Sequence, residues 1–145
     1  MADATNPGRA ASPMLIVPTV ALVGLIVARL VFPGLLQDTS LSDFLLVSLV
    51  LGGAAAWRTG EAVARGWGSY AHLVIYGALL TAAVRFCHFA LFEDNLFSLQ
   101  NFVVEFVLLM SIATLGYRSV RRRQMTAQYG WLFEPDGPMA WRQRR

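Results

Sequence analysis

The sequence predicts an all-α membrane protein, a bundle of four transmembrane helices with a three-helix core and one additional N-terminal helix. Apolar residues make up 56% of the 145 residues and charged residues only 14%, a composition more apolar than that of a soluble domain. Apolar runs recur four times along the chain, each close to the length that crosses a bilayer as a helix. Basic residues are concentrated in alternate connections between these runs, which indicates that both termini are cytoplasmic.

The predicted spans are, in chain order, residues 14–32, 41–60, 70–92 and 96–117. Residues 1–13 are rich in small residues and proline without periodicity, which predicts a flexible tail. Residues 118–145 form a basic, aromatic cytoplasmic tail. We expect its last ten residues to be irregular because Pro135, Gly137 and Pro138 interrupt a helix.

The first apolar run allows two interpretations, an uncleaved spanning helix or a cleaved secretory signal. Arg9 precedes it, as in a signal, but no small-x-small cleavage site follows Ala28. The retained helix is the favoured interpretation, with Pro33 ending it. Arg29 then lies about one turn from that end and is expected to extend toward water or toward Asp38.

All 12 basic residues are arginines, and their positions set the predicted orientation. The connections near residues 33–43 and 93–96 carry two acids each and no base, whereas seven arginines follow Tyr117. Bases stay on the cytoplasmic side of a membrane, so four spans alternate up and down from a cytoplasmic N-terminus. This placement also argues against nucleic-acid binding, which needs a folded basic surface.

Small residues recur every fourth position in the second span. At helical geometry they form one smooth stripe on which a neighbouring backbone can pack closely. The residues are Ser48, Gly52, Ala56, Gly60 and Ala64. The alternative is that small residues are simply common in membrane helices.

The third span contains the residues around which the prediction is organised, Arg85 and His88. An arginine within the membrane requires a partner, and the fourth span offers Glu105, with Asn101 on the same face. Arg85 lies about 10 Å and Glu105 about 12 Å from the outer ends of their helices, so both occupy one depth. We therefore predict an intramembrane cluster of Arg85, His88, Asn101 and Glu105 with an Arg85–Glu105 ion pair.

Three interpretations of this cluster remain open. The favoured one is structural, an ion pair that fixes the register of two helices. The cluster could instead belong to a proton or substrate path, since ionisable groups within a membrane often mark one. The third interpretation is pairing across an interface with another subunit.

No residue pattern predicts catalysis or a cofactor. His72 and His88 are too far apart to share a metal, and Cys87 and His88 point about 100° apart on a helix. Gly52 and Gly53 lie inside a span without the lysine of a phosphate loop. The protein is therefore expected not to be an enzyme, and no small-molecule substrate is assigned.

The tail joins an arginine cluster to aromatic residues. It can lie on anionic headgroups of the bilayer, where it would sense membrane charge, or dock on a partner protein. The residues of this contact surface are Arg121, Arg122, Arg123, Tyr129, Trp131 and Phe133. Salt should weaken headgroup binding strongly and aromatic docking much less.

Several segments resemble an uncharacterised family of small bacterial inner-membrane proteins. They are LGGAAAW followed by Thr59 and Gly60, AVRFCHFALF from Ala83, LGYR from Leu115 and QMTAQYGWLFE from Gln124. The resemblance covers roughly residues 42–142 and implies about three spans and a basic, aromatic tail. Residues 1–40 depart from it, so the first helix is an addition or a start-site artefact under this comparison.

The resemblance also implies a cellular context. Genes of that family often lie beside those of branched-chain amino acid ABC transporters, which implies an accessory role. We therefore expect a bacterial inner-membrane protein that contacts lipid and other membrane subunits, as an accessory or assembly subunit of a complex such as an amino acid importer. The alternative is a small transporter or proton-conducting element centred on Arg85, His88 and Glu105.

Overall fold

The computed structural model describes residues 13–32, 34, 40–93 and 95–144. In this part of the chain four helices are long and apolar enough to cross a membrane. They are α1 (Pro13–Val31), α2 (Leu41–Arg65), α3 (Tyr70–Phe92) and α4 (Leu99–Gln128). Two short strands follow, β1 (Phe133–Pro135) and β2 (Trp141–Gln143). The prediction of four helices able to cross a membrane is confirmed. Of the predicted tail, residues 1–13, all but Pro13 lie outside the described residues.

The longest helix, α4, is the centre of the bundle. It packs most extensively on the second half of α2 and also contacts α1 and α3. Leu109, Met110 and Ala113 contribute its side of the main core. A second, smaller core forms where Leu108 of α4 meets Phe44 of α2 and the α1 side chain Leu25. The bundle therefore consists of three helices arranged around α4.

Much of the remaining helical surface is apolar and exposed. Val20, Val23 and Leu30 of α1 are more than half exposed, as are Leu79 and Leu91 of α3. In water such a surface would be costly, whereas in a bilayer lipid tails cover it. This distribution is that of a multi-pass membrane protein.

The first half of α2 departs from α-helical geometry. Residues Phe44–Gly52 form a π-helix, with the wider i to i+5 hydrogen bonding, before the α-helix resumes at Gly53. Such widened segments are rare and usually much shorter. The sequence FLLVSLVLG contains no proline or other local signal for it, so sequence analysis had no basis for predicting it.

The connection between α2 and α3 is a Schellman turn. The Gly68 N–H donates to the carbonyl of Val63, and the Trp67 N–H donates to that of Ala64. Trp67 occupies the left-handed position of this turn, with φ of 55°, where glycine is usual. Its ring contacts the guanidinium of Arg121 on α4.

Within residues 136–144, Trp141–Gln143 form a strand, so the prediction that the last ten residues are irregular is wrong for this segment. Strand β2 pairs antiparallel with β1, with Glu134 opposite Arg142, and Gly137, with φ of 100°, lies in the turn between them. Trp141 is buried and lies over the Arg118 guanidinium, 4.4 Å from the ring centroid. The hairpin therefore returns to cover the end of the bundle. The segment from residue 118 to Gln128 continues α4 as helix.

For Arg29 the structure contradicts one of the two predicted alternatives. The side chain does not extend to water, since only 3% of the residue is exposed, and its guanidinium lies 5.8 Å from the centroid of the Phe44 ring. Its other predicted partner, Asp38, lies outside the described residues.

Candidate functional site

Three helices bring their buried polar residues together at one level of the bundle. Ser48 comes from α2, Arg85 and His88 from α3, and Asn101 and Glu105 from α4. None is more than 2% exposed. On α3 the cluster shares its buried face with Gly77 and Thr81. The four predicted cluster residues thus occupy one buried region, and Ser48 joins them.

One carboxylate oxygen of Glu105 is the hub of this cluster. Its Oε1 lies 3.0 Å from the Ser48 hydroxyl, 3.2 Å from His88 Nε2 and 3.8 Å from Arg85 Nη1. The predicted Arg85–Glu105 contact is the longest of the three. Arg85 also donates through Nη2 to the carbonyl of Asn95, in the connection between α3 and α4. The guanidinium therefore links Glu105 to the connection between α3 and α4.

The distances assign the proton of the His88 ring. Ser48 Oγ is 2.8 Å from Nε2, and the same nitrogen faces Glu105 Oε1. If Nε2 carried a lone pair it would repel the carboxylate, so the consistent assignment has Nε2 as donor. The Ser48 hydroxyl then accepts from His88 and donates to Glu105. The single Nε2 hydrogen then faces both the Ser48 oxygen and Glu105 Oε1.

A serine, a histidine and a glutamate in contact raise the question of nucleophilic catalysis. In a catalytic triad the serine and the carboxylate bind opposite ring nitrogens, so that the histidine relays a proton. Here both bind Nε2, and Nδ1 has no hydrogen-bond partner among the described residues. The Ser48 hydroxyl is also completely buried. This arrangement can share a proton between His88 and Glu105 but does not prepare a nucleophile.

The stripe of small residues on α2 lies against α4. Ser48, Gly52, Ala56, Gly60 and Ala64 are all buried. The closest approach is at Gly60, where a Cβ atom would lie 2.0 Å from the carbonyl oxygen of Ala113. Ser48 has a polar role in addition to a packing one. A lone hydroxyl in the apolar run LLVSLVL was the sequence signal for that role.

The predicted tail residues separate into bound and exposed groups. Arg121 lies 4.7 Å from the centroid of the Trp67 ring and donates to the Gly68 carbonyl and the Tyr117 hydroxyl. The Tyr129 ring packs edge-on against the Trp67 ring, with the two ring centroids 6.3 Å apart. Arg121 is therefore occupied in holding the turn between α2 and α3.

The other residues of the predicted contact surface differ in exposure. Trp131 is 73% exposed, Arg122 and Phe133 are half-buried, and Arg123 is exposed. Arg123 Nη2 lies 3.9 Å from Glu61 of α2. Sequence analysis did not identify the contacts of Arg118 with Trp141 or of Glu61 with Arg123, because in each pair the partners lie on different elements.

Within the described residues, no group of three histidine, cysteine or acidic side chains could hold a metal ion. His72 Nδ1 instead lies 2.8 Å from the Ser69 hydroxyl. The structure thus offers no metal site in that part of the chain.

A family model described as a domain of unknown function, DUF6867, matches residues 39–144. The chain belongs to the DUF6867 family. The prediction of an uncharacterised family is confirmed, and the match begins just before α2, so α1 lies outside the DUF6867 region. No curated protein and no solved structure matches the chain.

Proposed function

We propose that the chain is a multi-pass protein of the bacterial inner membrane, with both termini in the cytoplasm, that has no enzymatic activity. It acts by contact, as an accessory or assembly subunit of a larger membrane complex. Four helices able to cross a membrane and the exposed apolar surface around α4 support the membrane location. Its partners are lipid and other membrane subunits.

The observation that best supports this proposal is that the polar cluster is buried. A path for a solute needs polar groups that can be reached from both sides of the membrane. Ser48, His88 and Glu105 are instead fully buried and bond to one another. This arrangement supports a cluster that fixes three helices and leaves the outer surface to carry the function.

The cytoplasmic tail offers the surface for a partner. Trp131 is 73% and Tyr129 39% exposed, and both follow the arginine-rich end of α4. Tryptophan, tyrosine and arginine are the residues that most often anchor protein interfaces. The finer proposal, an amino acid ABC importer as the complex, rests on the family resemblance alone.

The test is affinity purification of the full chain from membranes in a mild detergent. We expect a membrane subunit to copurify in fixed stoichiometry and to be lost from the Trp131→Ala variant. Phe97→Ala is the matched control, because Phe97 is 91% exposed at the opposite end of the bundle. Recovery of the chain alone, while other membrane complexes stay intact, would contradict the proposal.

A second candidate function is proton conduction through the cluster. It is favoured by one observation: His88 Nδ1 and Glu105 Oε2 are buried and have no hydrogen-bond partner among the described residues. Two titratable groups in contact could pass a proton. In proteoliposomes with a pH gradient, conduction would be abolished by Glu105→Gln. The accessory role predicts no proton flux through either the native protein or the Glu105→Gln variant.

A further inference from the structure

Three arginine side chains converge on Glu61 at the arginine-rich end of the bundle. Arg58 Nη1 and Arg65 Nη2 each lie 3.0 Å from Glu61 Oε2, and Arg123 Nη2 of α4 lies 3.9 Å from Oε1. The Glu61 side chain is 8% exposed, whereas those of Arg58, Arg65 and Arg123 are 75%, 59% and 65% exposed. A buried carboxylate thus gathers three guanidiniums whose outer faces remain open.

The charge of this cluster is not balanced internally. One carboxylate faces three guanidiniums, which leaves two positive charges in excess. Other arginines at this end have partners of their own: Arg118 lies against Trp141, Arg121 against Trp67, and Arg142 pairs with Glu134. The cluster of Arg58, Arg65 and Arg123 is therefore suited to a further anion.

The cluster also lies at the depth of lipid headgroups. The 25 residues of α2 extend about 37 Å at 1.5 Å per residue, which exceeds the roughly 30 Å of hydrocarbon by about five residues. By this count Arg65 lies beyond the hydrocarbon. Arg58 lies less than one turn inside its boundary, and its long side chain can extend to the headgroups. On α4 about 20 residues span the hydrocarbon, so Arg123 lies just beyond it.

We propose that Arg58, Arg65 and Arg123 bind the phosphodiester headgroup of an anionic phospholipid. Guanidinium groups match phosphate oxygens through paired N–H donors, and Glu61 holds the three groups in place before binding. The site goes beyond the proposed accessory function, because it names a lipid class that the bundle recognises. It also differs from the tail surface predicted from sequence, since Arg58 and Arg65 belong to α2.

The test is titration of the purified full chain with phosphatidylglycerol in mild detergent, with the bound fraction read by native mass spectrometry. Phosphatidylcholine is the zwitterionic reference. We expect tighter binding of phosphatidylglycerol, weakened about fivefold by each of Arg58→Gln, Arg65→Gln and Arg123→Gln. The triple Arg→Lys variant keeps the charge but lacks the paired N–H donors, so it should bind less tightly than the native chain and more tightly than a triple Arg→Gln variant.

Arg142→Gln is the matched control. The Arg142 side chain is 58% exposed and lies at the same end of the bundle, but it pairs one to one with Glu134. Equal loss in this control and in the three variants would overturn the proposal, as would equal binding of both lipids. Displacement of the lipid by millimolar inorganic phosphate would indicate a small-anion site instead. The single variants keep the test valid if a triple substitution prevents folding.

The same variants separate this inference from the proposed function. If they lose the copurifying subunit but bind phosphatidylglycerol normally, the arginine cluster faces a protein and the lipid proposal is wrong. If phosphatidylglycerol binding falls while no partner is ever recovered, the lipid site stands and the accessory role fails.

Discussion

The hydroxyl group of Ser48 positions α2 relative to the two helices on which it packs. It lies between His88 and Glu105, at 2.8 Å and 3.0 Å, and it is the only member of this three-residue network that α2 contributes. Each polar atom excluded from water must find a partner inside the protein. The hydroxyl therefore fixes α2 at one rotation and height relative to α3 and α4.

Glu105 and Arg85 form the charged part of the cluster, and their substitutions should not be additive. Glu105→Gln removes a counter-charge from the buried Arg85 guanidinium, so we expect the free energy of unfolding to fall by about 3–5 kcal/mol. Arg85→Met should be similarly costly. The double variant Arg85→Met/Glu105→Gln should cost much less than the sum of the two single substitutions, because neither charge of the pair is left.

The measurement is equilibrium unfolding of each variant in detergent. Ser111→Ala is the control, since the Ser111 hydroxyl is also buried on α4 but bonds only to the Val107 carbonyl of its own helix. We expect that change to cost about 1 kcal/mol or less. Additive effects of the two charge substitutions would contradict the ion-pair interpretation.

At the scale of elements, the contact between α2 and α4 depends on glycines on both helices. A Cβ atom at Gly60 would lie 2.0 Å from the Ala113 carbonyl oxygen, and one at Gly116 would lie 2.5 Å from that of Trp57. Both neighbours are backbone atoms, which cannot turn away as a flexible side chain can. The two helix axes can approach this closely only because neither position has a side chain.

Gly60→Ala should therefore separate the two helices. We expect it to lower the free energy of unfolding by about 1–3 kcal/mol, the usual cost of overpacking a filled interface. Gly24→Ala on α1 is the matched control, because nothing lies within 4 Å of its Cβ position. There the better helix propensity of alanine should stabilise the protein slightly. Unfolding curves in detergent compare the two variants, and an equal effect would argue against the close contact.

At the scale of the whole molecule, one end of the bundle differs from the other in charge and in packing. The arginines of α2 and α4, the turn at Trp67 and the β-hairpin lie together at that end. The opposite end carries exposed apolar residues such as Phe97. This asymmetry agrees with the proposed orientation, in which the arginine-rich end lies in the cytoplasm.

Cysteine labelling in intact cells tests this orientation. In a background with Cys87→Ser, which removes the one native cysteine, we place a cysteine at Ser42 or at Gln143, both exposed. A membrane-impermeant maleimide should label the Ser42→Cys protein directly. It should label the Gln143→Cys protein only after permeabilisation. The reverse pattern would show that the termini are outside the cytoplasm.

Sequence reasoning succeeded where the information was local in the chain. The lengths of α2 and α3, the shared buried face of Arg85 and His88 and the small stripe of α2 all follow from helical spacing. It missed the hairpin and the contact between Arg29 and Phe44, because each depends on residues distant in the chain. Phe44 covers Arg29, and Arg118 receives Trp141 more than twenty residues later in the chain.

The sequence by itself determined that this protein forms four long apolar helices, because hydropathy and length are properties of each segment alone. It also placed a carboxylate and a guanidinium at one depth. Only the tertiary structure decided that one oxygen of Glu105 would gather Ser48, His88 and Arg85, and that Glu61 would gather arginines from two helices. Such contacts depend on how helices rotate and approach one another, and small residues and buried hydrogen bonds set that geometry.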